Sequence, residues 1–170
     1  IIKTLTLDEK VSLLSGFNSW YTNKIEKKNI PSIKMSDGPN GVRGDSNSGK
    51  SSACFPCAIS IGSTWDLSLI KDIGVALGEE AQAKDVDVLL GPTINIHRHP
   101  LGGRHFESFS EDPFLTGKIA TNYVQGVQSK NVAACLKHFV GNDTEYERHS
   151  ISSNIDAQTL REIYLLPFEM

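Results

Sequence analysis

The sequence predicts an α/β fold, a parallel sheet covered by helices. Three observations carry the prediction. Short apolar runs stand at Ile33–Met35, Val86–Leu90 and Val132–Leu136, too brief for helices and bounded by polar residues. Each run is followed by a loop and then by a segment with helical periodicity. The order strand, loop, helix therefore repeats, and such alternation is the mark of parallel strands joined by helical crossovers.

One element precedes the repeat. Thr6-Leu-Asp-Glu9 has the form of a capping box, in which the Thr6 hydroxyl accepts from the Glu9 amide and the Glu9 carboxylate accepts from the Thr6 amide. Leu7, Val11 and Leu14 then share one face of a surface helix, with Gly16 as its stop. Asn29-Ile-Pro-Ser leads into the strand Ile33–Met35, which runs into the turn-rich stretch Ser36 to Gly44. Residues 45–53 are a polar insertion. It contains Gly49-Lys-Ser51 but lacks the earlier glycine and the following helix of a phosphate-binding loop, so that reading is rejected. Cys54-Phe-Pro-Cys57 has the spacing of a metal half-site, yet no second pair accompanies it. Ile59–Ile61 reads as a further short strand.

Asp66 is placed to cap a helix from Leu67 to Lys84, with Leu69, Ile73, Ala76, Leu77 and Ala81 toward a core. Asp112-Pro113 starts the next helix, aspartate as N-cap and proline in the first turn. Leu115, Ile119, Tyr123 and Val127 form its buried face, and it ends near Lys130. Asp156 caps the last helix, whose apolar side holds Leu160, Ile163, Tyr164 and Leu166. The apolar pattern of Leu160–Met170 runs on with no glycine cap or turn signal, so the chain is expected to stop inside an element, as a fragment does.

Composition excludes several partner classes. Of 170 residues, 39% are hydrophobic and 22% charged, which fits one globular domain or part of one. A formal net charge of −3 gives no electrostatic case for nucleic acid or an anionic membrane surface. No apolar run approaches the ~20 residues of a membrane-spanning helix. The chain shows no secretory signal, and its opening Ile1-Ile2 without Met is expected where a natural N-terminus has been lost. Cys54, Cys57 and Cys135 are an odd set, which argues against a disulfide framework and leans the expected location toward the reducing cytoplasm. Asn142-Asp-Thr144 has the form of a glycosylation sequon and is read as chance.

Chemistry is expected on the loops that leave the C-terminal ends of the strands, where (β/α) barrels place it. Polar clusters occupy three such positions: Asp37 after the first strand, His97 to Glu107 after the second, Lys137-His138 after the third. The loop Gly91 to Pro113 is longer than a connector requires. One carboxylate among guanidinium, ammonium and imidazole groups makes a pocket for a polyhydroxylated ligand. Asp37 accepts from two vicinal hydroxyls, while Arg104, Lys137 and His138 donate to hydroxyl oxygens. Gly102-Gly103 lets the backbone turn so that Arg104 points inward. Phe106 and Phe109 either cover apolar sugar faces or pack the loop. A zinc site built on His97-Arg-His99 with His105 or His138 is disfavoured, because Arg98 intervenes and no carboxylate completes it. His97, His99 and His105 are read as packing groups, and the residues require neither metal nor cofactor.

Taken together, Asp37-Gly-Pro-Asn-Gly-Val-Arg43, Gly91-Pro-Thr-Ile-Asn-Ile-His-Arg98, Leu101-Gly-Gly-Arg-His-Phe-Glu-Ser-Phe-Ser-Glu-Asp-Pro113 and Lys137-His-Phe139 resemble glycoside hydrolase family 3, and within it the β-glucosidases. The likeness runs nearly end to end. It implies that residues 1–170 are the N-terminal part of a (β/α)8 TIM-like barrel, incomplete here and truncated at the C-terminal end. It also implies an enzyme that releases a terminal non-reducing β-D-glucosyl residue by retaining double displacement. Carried over residue by residue, Asp37, Arg104, Lys137 and His138 bind the sugar in subsite −1. Arg148 would orient the nucleophile or a sugar hydroxyl. The Lys137-His-Phe segment carries a cis peptide in such enzymes.

The same resemblance puts the nucleophilic aspartate on a later strand and the general acid beyond the barrel, so neither is placed within these residues. Glu107, Glu111, Asp143, Glu145 and Glu147 are left as acids near the site, none of them promoted to nucleophile. Retaining hydrolysis needs two carboxyl groups about 5–5.5 Å apart. The isolated chain is therefore expected neither to hydrolyse a β-glucoside nor to fold stably alone. Relatives that cleave N-acetylglucosaminides draw a histidine from a Lys-His-Phe-Pro-Gly-His-Gly loop, and Asn142 stands at that position here. β-Xylosidase or α-arabinofuranosidase relatives stay open, as does a non-catalytic carbohydrate-binding chain.

Overall fold

The computed structural model describes residues 1–44 and 50–170. Residues 45–49 of the polar insertion, with the glycine of Gly49-Lys-Ser51, lie outside the described residues. Three parallel strands form one sheet in the order β1-β2-β3, with β1 at Met35–Ser36, β2 at Val88–Leu89 and β3 at Ala133–Ala134. Met35 pairs with Val88 and Ser36 with Leu89, and these pair in turn with Ala133 and Ala134. The first strand starts two residues later than its apolar run because the N-terminal segment takes Ile33 and Lys34. Thr22 donates its amide to the Ile33 carbonyl, and Tyr21 bridges Lys34 in the antiparallel sense. Beyond the strand ends, Thr93 makes parallel bridges to both Ser108 and Lys137, which draws the loops after β2 and β3 together.

Helix α1 is Leu7–Ser12, and both bonds of its capping box form: the Glu9 amide to Thr6 Oγ1 at 3.2 Å and the Thr6 amide to Glu9 Oε2 at 2.8 Å. It ends short of Gly16, and Leu7, Val11 and Leu14 are all exposed. Helix α2, Ala58–Gly62, replaces the strand expected at Ile59–Ile61. Its buried residues are Ala58, Ile61 and Gly62, a spacing that a helix meets and a two-residue alternation does not. Gly62 sits so close to Phe109 that a Cβ there would come within 2.6 Å of the Phe109 carbonyl oxygen.

Helices α3, Leu67–Ala83, and α4, Pro113–Gln128, pack on each other and on the sheet. Asp66 and Asp112 cap them as expected, each carboxylate accepting from two amides of the first turn. Their crossing is glycine to glycine. A Cβ on Gly74 would lie 2.4 Å from the Tyr123 carbonyl oxygen, and one on Gly126 would lie 2.3 Å from that of Lys71. Ile73, Leu77 and Ala81 of the expected stripe are buried, while Ile70 takes the place expected of Leu69, which is exposed. Ile70, Ile73, Leu77 and Ala81 of α3 meet Ile119, Tyr123 and Val127 of α4 over Val86, Leu89 and Val132 of the sheet region.

The last predicted helix is divided. Asp156 caps α5, Ala157–Thr159, which passes through a π-helical turn, Leu160–Tyr164, into α6, Leu166–Glu169. Pro167 has no amide to return to Ile163, so an uninterrupted α-helix is not available, and proline is instead placed in the first turn of α6. Tyr164 is buried and donates to Asp143 Oδ2 at 2.9 Å. No described helix is long and apolar enough to cross a membrane.

Candidate active site

Asp37 follows β1 directly. Its own carbonyl accepts from the Arg43 amide at 2.6 Å, which closes the Asp37–Arg43 stretch into a compact turn. The Asp37 carboxylate lies 3.9 Å from Arg43 Nη1 and 3.9 Å from Lys137 Nζ. Helix α3 fixes the base of this loop. Glu80 accepts from the amides of Val42 at 2.9 Å and Ala53 at 2.7 Å, while Lys84 donates to Ser52 Oγ at 2.7 Å, to Glu80 at 3.0 Å and to the Val42 carbonyl. Burial alone would raise the Glu80 pKa; the two amides and Lys84 outweigh it and hold the carboxyl below its usual range. One largely buried pair thus ties Val42 and Ala53 to α3.

The loop after β2 presents Arg104. Glu107 follows it within a single 3-10 turn, His105–Glu107, and its nearly buried carboxylate accepts from Arg104 Nε and from the Thr93 hydroxyl at 3.0 Å. Glu145, from the loop after β3, faces the same Arg104 Nε at 3.7 Å and accepts from Arg148 Nη1 at 3.0 Å. The guanidinium of Arg104 is therefore held between carboxylates of two loops. Neither Gly102 nor Gly103 has a positive φ. They are needed for room instead: a Cβ on Gly103 would lie 2.8 Å from the Glu145 side chain, and one on Gly102 would overlap the His105 ring.

The loop after β3 opens with Lys137-His138, joined by a cis peptide in the segment where the resemblance implies one; Asp37–Gly38 and Gly91–Pro92 are cis as well. Asn95 brackets His138. Its amide group accepts from the His138 backbone N–H at 2.7 Å and donates to the His138 carbonyl at 3.3 Å. Burial, then the positive charge of Arg104 and of Lys137, pushes His138 down to about 4 against the opposing pull of Glu107 and Glu145. The imidazole is neutral at neutral pH.

Asp37, Arg104, Lys137 and Arg148 line one cavity of about 470 Å³, together with Arg43, Phe106, Glu107 and Glu145. Among the described residues, four cations and three carboxylates face it, and each of those carboxylates has a cationic partner. His138 is not among the lining residues; it stands beside four of them, the charges that shift it. Phe106 is exposed at the rim, and Phe109 is buried against Tyr123, where it packs the loop. His97 contacts the His105 carbonyl at 2.9 Å and stacks edge-on against the His105 ring, and His99 accepts from the Leu101 amide. Cys54 and Cys57 are free and exposed. A larger hollow of about 560 Å³ between Phe17 and Ser32 has Lys24 as its one charged lining residue, and is poorer in groups for a polar ligand. Sequence reasoning gave no role to Arg43, Thr93, Asn95, Glu107 or Glu145. Glu107 and Glu145 had a local signal, their i,i+3 spacing from Arg104 and Arg148.

With this geometry in view, a model of the glycosyl hydrolase family 3 N terminal domain matches residues 2–170. The chain belongs to that family. This family 3 chain is 56% identical over 171 residues to a β-glucosidase of Rhizobium radiobacter, covering 99% of the chain and 21% of that relative. It is 54% identical to a putative β-glucosidase of Schizosaccharomyces pombe, again with 21% of the relative covered. Among solved structures, a β-glucosidase of Kluyveromyces marxianus in complex with glucose superposes at a TM-score of 0.93 with 48% identity, over 98% of this chain and 20% of that one. β-Glucosidase 3B of Thermotoga neapolitana, also solved with glucose, superposes at 0.89 with 40% identity, over 99% of this chain and 26% of that one. The family 3 chain thus spans about a fifth to a quarter of the length of these relatives.

Proposed function

We propose that residues 1–170 are the N-terminal part of a (β/α)8 barrel in a β-glucosidase, supplying the half of subsite −1 that grips the terminal non-reducing β-D-glucosyl residue. One observation carries this reading: Asp37, Arg104, Lys137 and Arg148, from the loops after three successive strands, line a single cavity. A pyranose offers a ring of hydroxyls, each both donor and acceptor, and mixed charges at fixed positions satisfy such a ring. Asp37 accepts from two neighbouring hydroxyls, Arg104 and Lys137 donate to hydroxyl oxygens, and Arg148 steers a hydroxyl or the nucleophile. His138 borders the same sugar. The relatives named β-glucosidases and the neighbours solved with glucose support the choice of ligand.

In this reading the bond-breaking chemistry comes from residues outside 1–170. Retaining hydrolysis needs a free nucleophilic carboxylate and a protonated acid about 5–5.5 Å apart. Asp37, Glu107 and Glu145 are each engaged by cations, which holds them to binding and positioning.

Titrating the protein with glucose, followed by saturation-transfer NMR, tests the binding half. Binding is expected, and Asp37→Ala should weaken it at least tenfold, the scale of a charge-assisted hydrogen bond. A folded protein that shows no interaction with glucose would overturn the reading. An aryl β-glucoside assay on these 170 residues tests the division of labour, and turnover above background would put the catalytic pair inside them.

A further inference from the structure

We propose that Asn95 fixes His138 as the Nδ1–H tautomer, so that the imidazole meets the sugar as a hydrogen-bond acceptor through Nε2. The proposal deepens the sugar-binding reading and rests on it for the identity of the ligand. It reverses the donor role that sequence reasoning gives His138.

The two ends of the Asn95 amide differ chemically. Asn95 lies on the loop after β2 and is nearly buried. A backbone N–H can only donate and a backbone carbonyl can only accept. The end that meets the His138 N–H at 2.7 Å must therefore be the oxygen Oδ1, and the end that meets the His138 carbonyl at 3.3 Å must be the nitrogen Nδ2. The backbone thus decides which way the amide points. Oδ1 also lies 3.3 Å from His138 Nδ1. Facing an oxygen that carries no hydrogen, Nδ1 bonds only if it holds one itself.

Whether Nε2 also carries a proton depends on the charges around the ring. Burial disfavours the imidazolium, Arg104 and Lys137 oppose it, and Glu107 and Glu145, which favour it, are themselves engaged by Arg104 and Arg148. The ring keeps one proton at neutral pH, and Asn95 holds it on Nδ1. Nε2 then presents a lone pair. Among the described residues nothing bonds to Nε2, and it is absent from the enclosed polar atoms that lack a partner, so it is open to a ligand. The four charged residues that shift the ring all line the cavity.

The consequence concerns specificity. Every sugar hydroxyl has one hydrogen to place, and the cavity is rich in donors: Arg43, Arg104, Lys137 and Arg148. Of its carboxylates, Glu107 and Glu145 are occupied by Arg104 and Arg148. A neutral acceptor at Nε2 takes a hydroxyl hydrogen that Asp37 does not reach. It also discriminates against a substituent of similar size that accepts but cannot donate, such as fluorine or a methyl ether.

The tautomer is read directly on protein labelled with 15N-histidine, from long-range 1H–15N correlations at pH 7. In the sugar-free protein, His138 is expected to show a protonated Nδ1 and a bare Nε2. A proton on Nε2, alone or with one on Nδ1, overturns the proposal whether or not the protein binds sugar. Adding glucose should then shift the Nε2 resonance. Within a set of monodeoxyfluoro-glucoses, at least one should bind without shifting it, and a set in which every bound analogue moves Nε2 as glucose does would count against an acceptor role. Asn95→Leu, if folded, should let the proton redistribute toward Nε2 and weaken glucose binding about fivefold, the scale of one hydrogen bond. If that variant unfolds, the wild-type spectrum still decides. Absence of glucose binding by folded protein, with the Nδ1–H form present, would refute the sugar reading and leave the tautomer standing.

Discussion

The Tyr123 hydroxyl donates to the Pro39 carbonyl at 2.8 Å, across 84 residues of sequence. Through this bond the core of α4 grips the turn that carries Asp37. Burial holds the phenol far above its ordinary pKa, so it stays a donor at any working pH. Tyr123→Phe keeps the packing and strands the Pro39 carbonyl. A loss of about 1–2 kcal/mol of stability is expected in urea unfolding, together with weaker glucose binding as the Asp37 turn loosens. Unchanged stability and affinity would show that the bond positions nothing.

Glu107 should matter more than its neighbour Glu111. Glu107 is nearly buried and holds both Arg104 and Thr93, whereas Glu111 is exposed. Glu107→Gln replaces a charge-assisted bond with a neutral one, a difference of about 1–2 kcal/mol. Calorimetry should find glucose affinity lowered about tenfold in Glu107→Gln and unchanged in Glu111→Gln. Equal effects in the two variants would contradict a clamp on Arg104.

The glycine crossing of α3 and α4 leaves no room for a methyl group. A Cβ on Gly74 or Gly126 would meet backbone oxygens of the facing helix, and backbone cannot swing aside as a side chain can. Each alanine variant is expected to lose about 1–3 kcal/mol despite alanine's better helix propensity. Ser68→Ala, on the exposed side of α3, should change stability by less than about 0.5 kcal/mol. Thermal unfolding of the three variants decides the matter.

His138 gives the fold a dependence on acidity. Unfolded, its imidazole takes a proton near 6.5; folded, it resists down to about 4. Across that window the unfolded chain binds more protons, so stability falls as the pH drops from 6.5 toward 4 and is unaffected by this residue above 7. Urea unfolding followed across the window should show a shallower acid slope in His138→Gln than in the wild type. A slope that does not change would mean that the folded state protonates His138 freely.

Much of the architecture is written in short-range signals. The capping box at Thr6, the aspartate caps of α3 and α4 and the strand-loop-helix order all depend on residues within a few positions of each other, and all appear in the structure. Where short-range signals mislead, a distant partner is responsible. Ile59–Ile61 lies in a helix whose buried Gly62 packs against the Phe109 backbone. On α3, Ile70 is buried in place of Leu69 near the contact of Gly74 with Gly126, and β1 starts late where Tyr21 and Thr22 take Lys34 and Ile33.

The candidate site divides along the same line. Asp37 and Lys137 stand out in the chain because they follow apolar strands closely, and Arg104 because the long loop after β2 carries it; both positions lie at the C-terminal edge of a parallel sheet. What orients them does not stand out. Thr93 and Arg104 on Glu107, Glu145 between two arginines, Asn95 on His138 and Tyr123 on Pro39 are pairings of buried or half-buried groups, several from elements far apart in sequence. A buried polar atom must find a partner, but its residue type does not say which one. The chain alone thus shows which chemical groups are present and at which edge of the sheet they gather. Their protonation, their partners and the direction each one faces arise only when the strands pair and the loops after them are packed against one another.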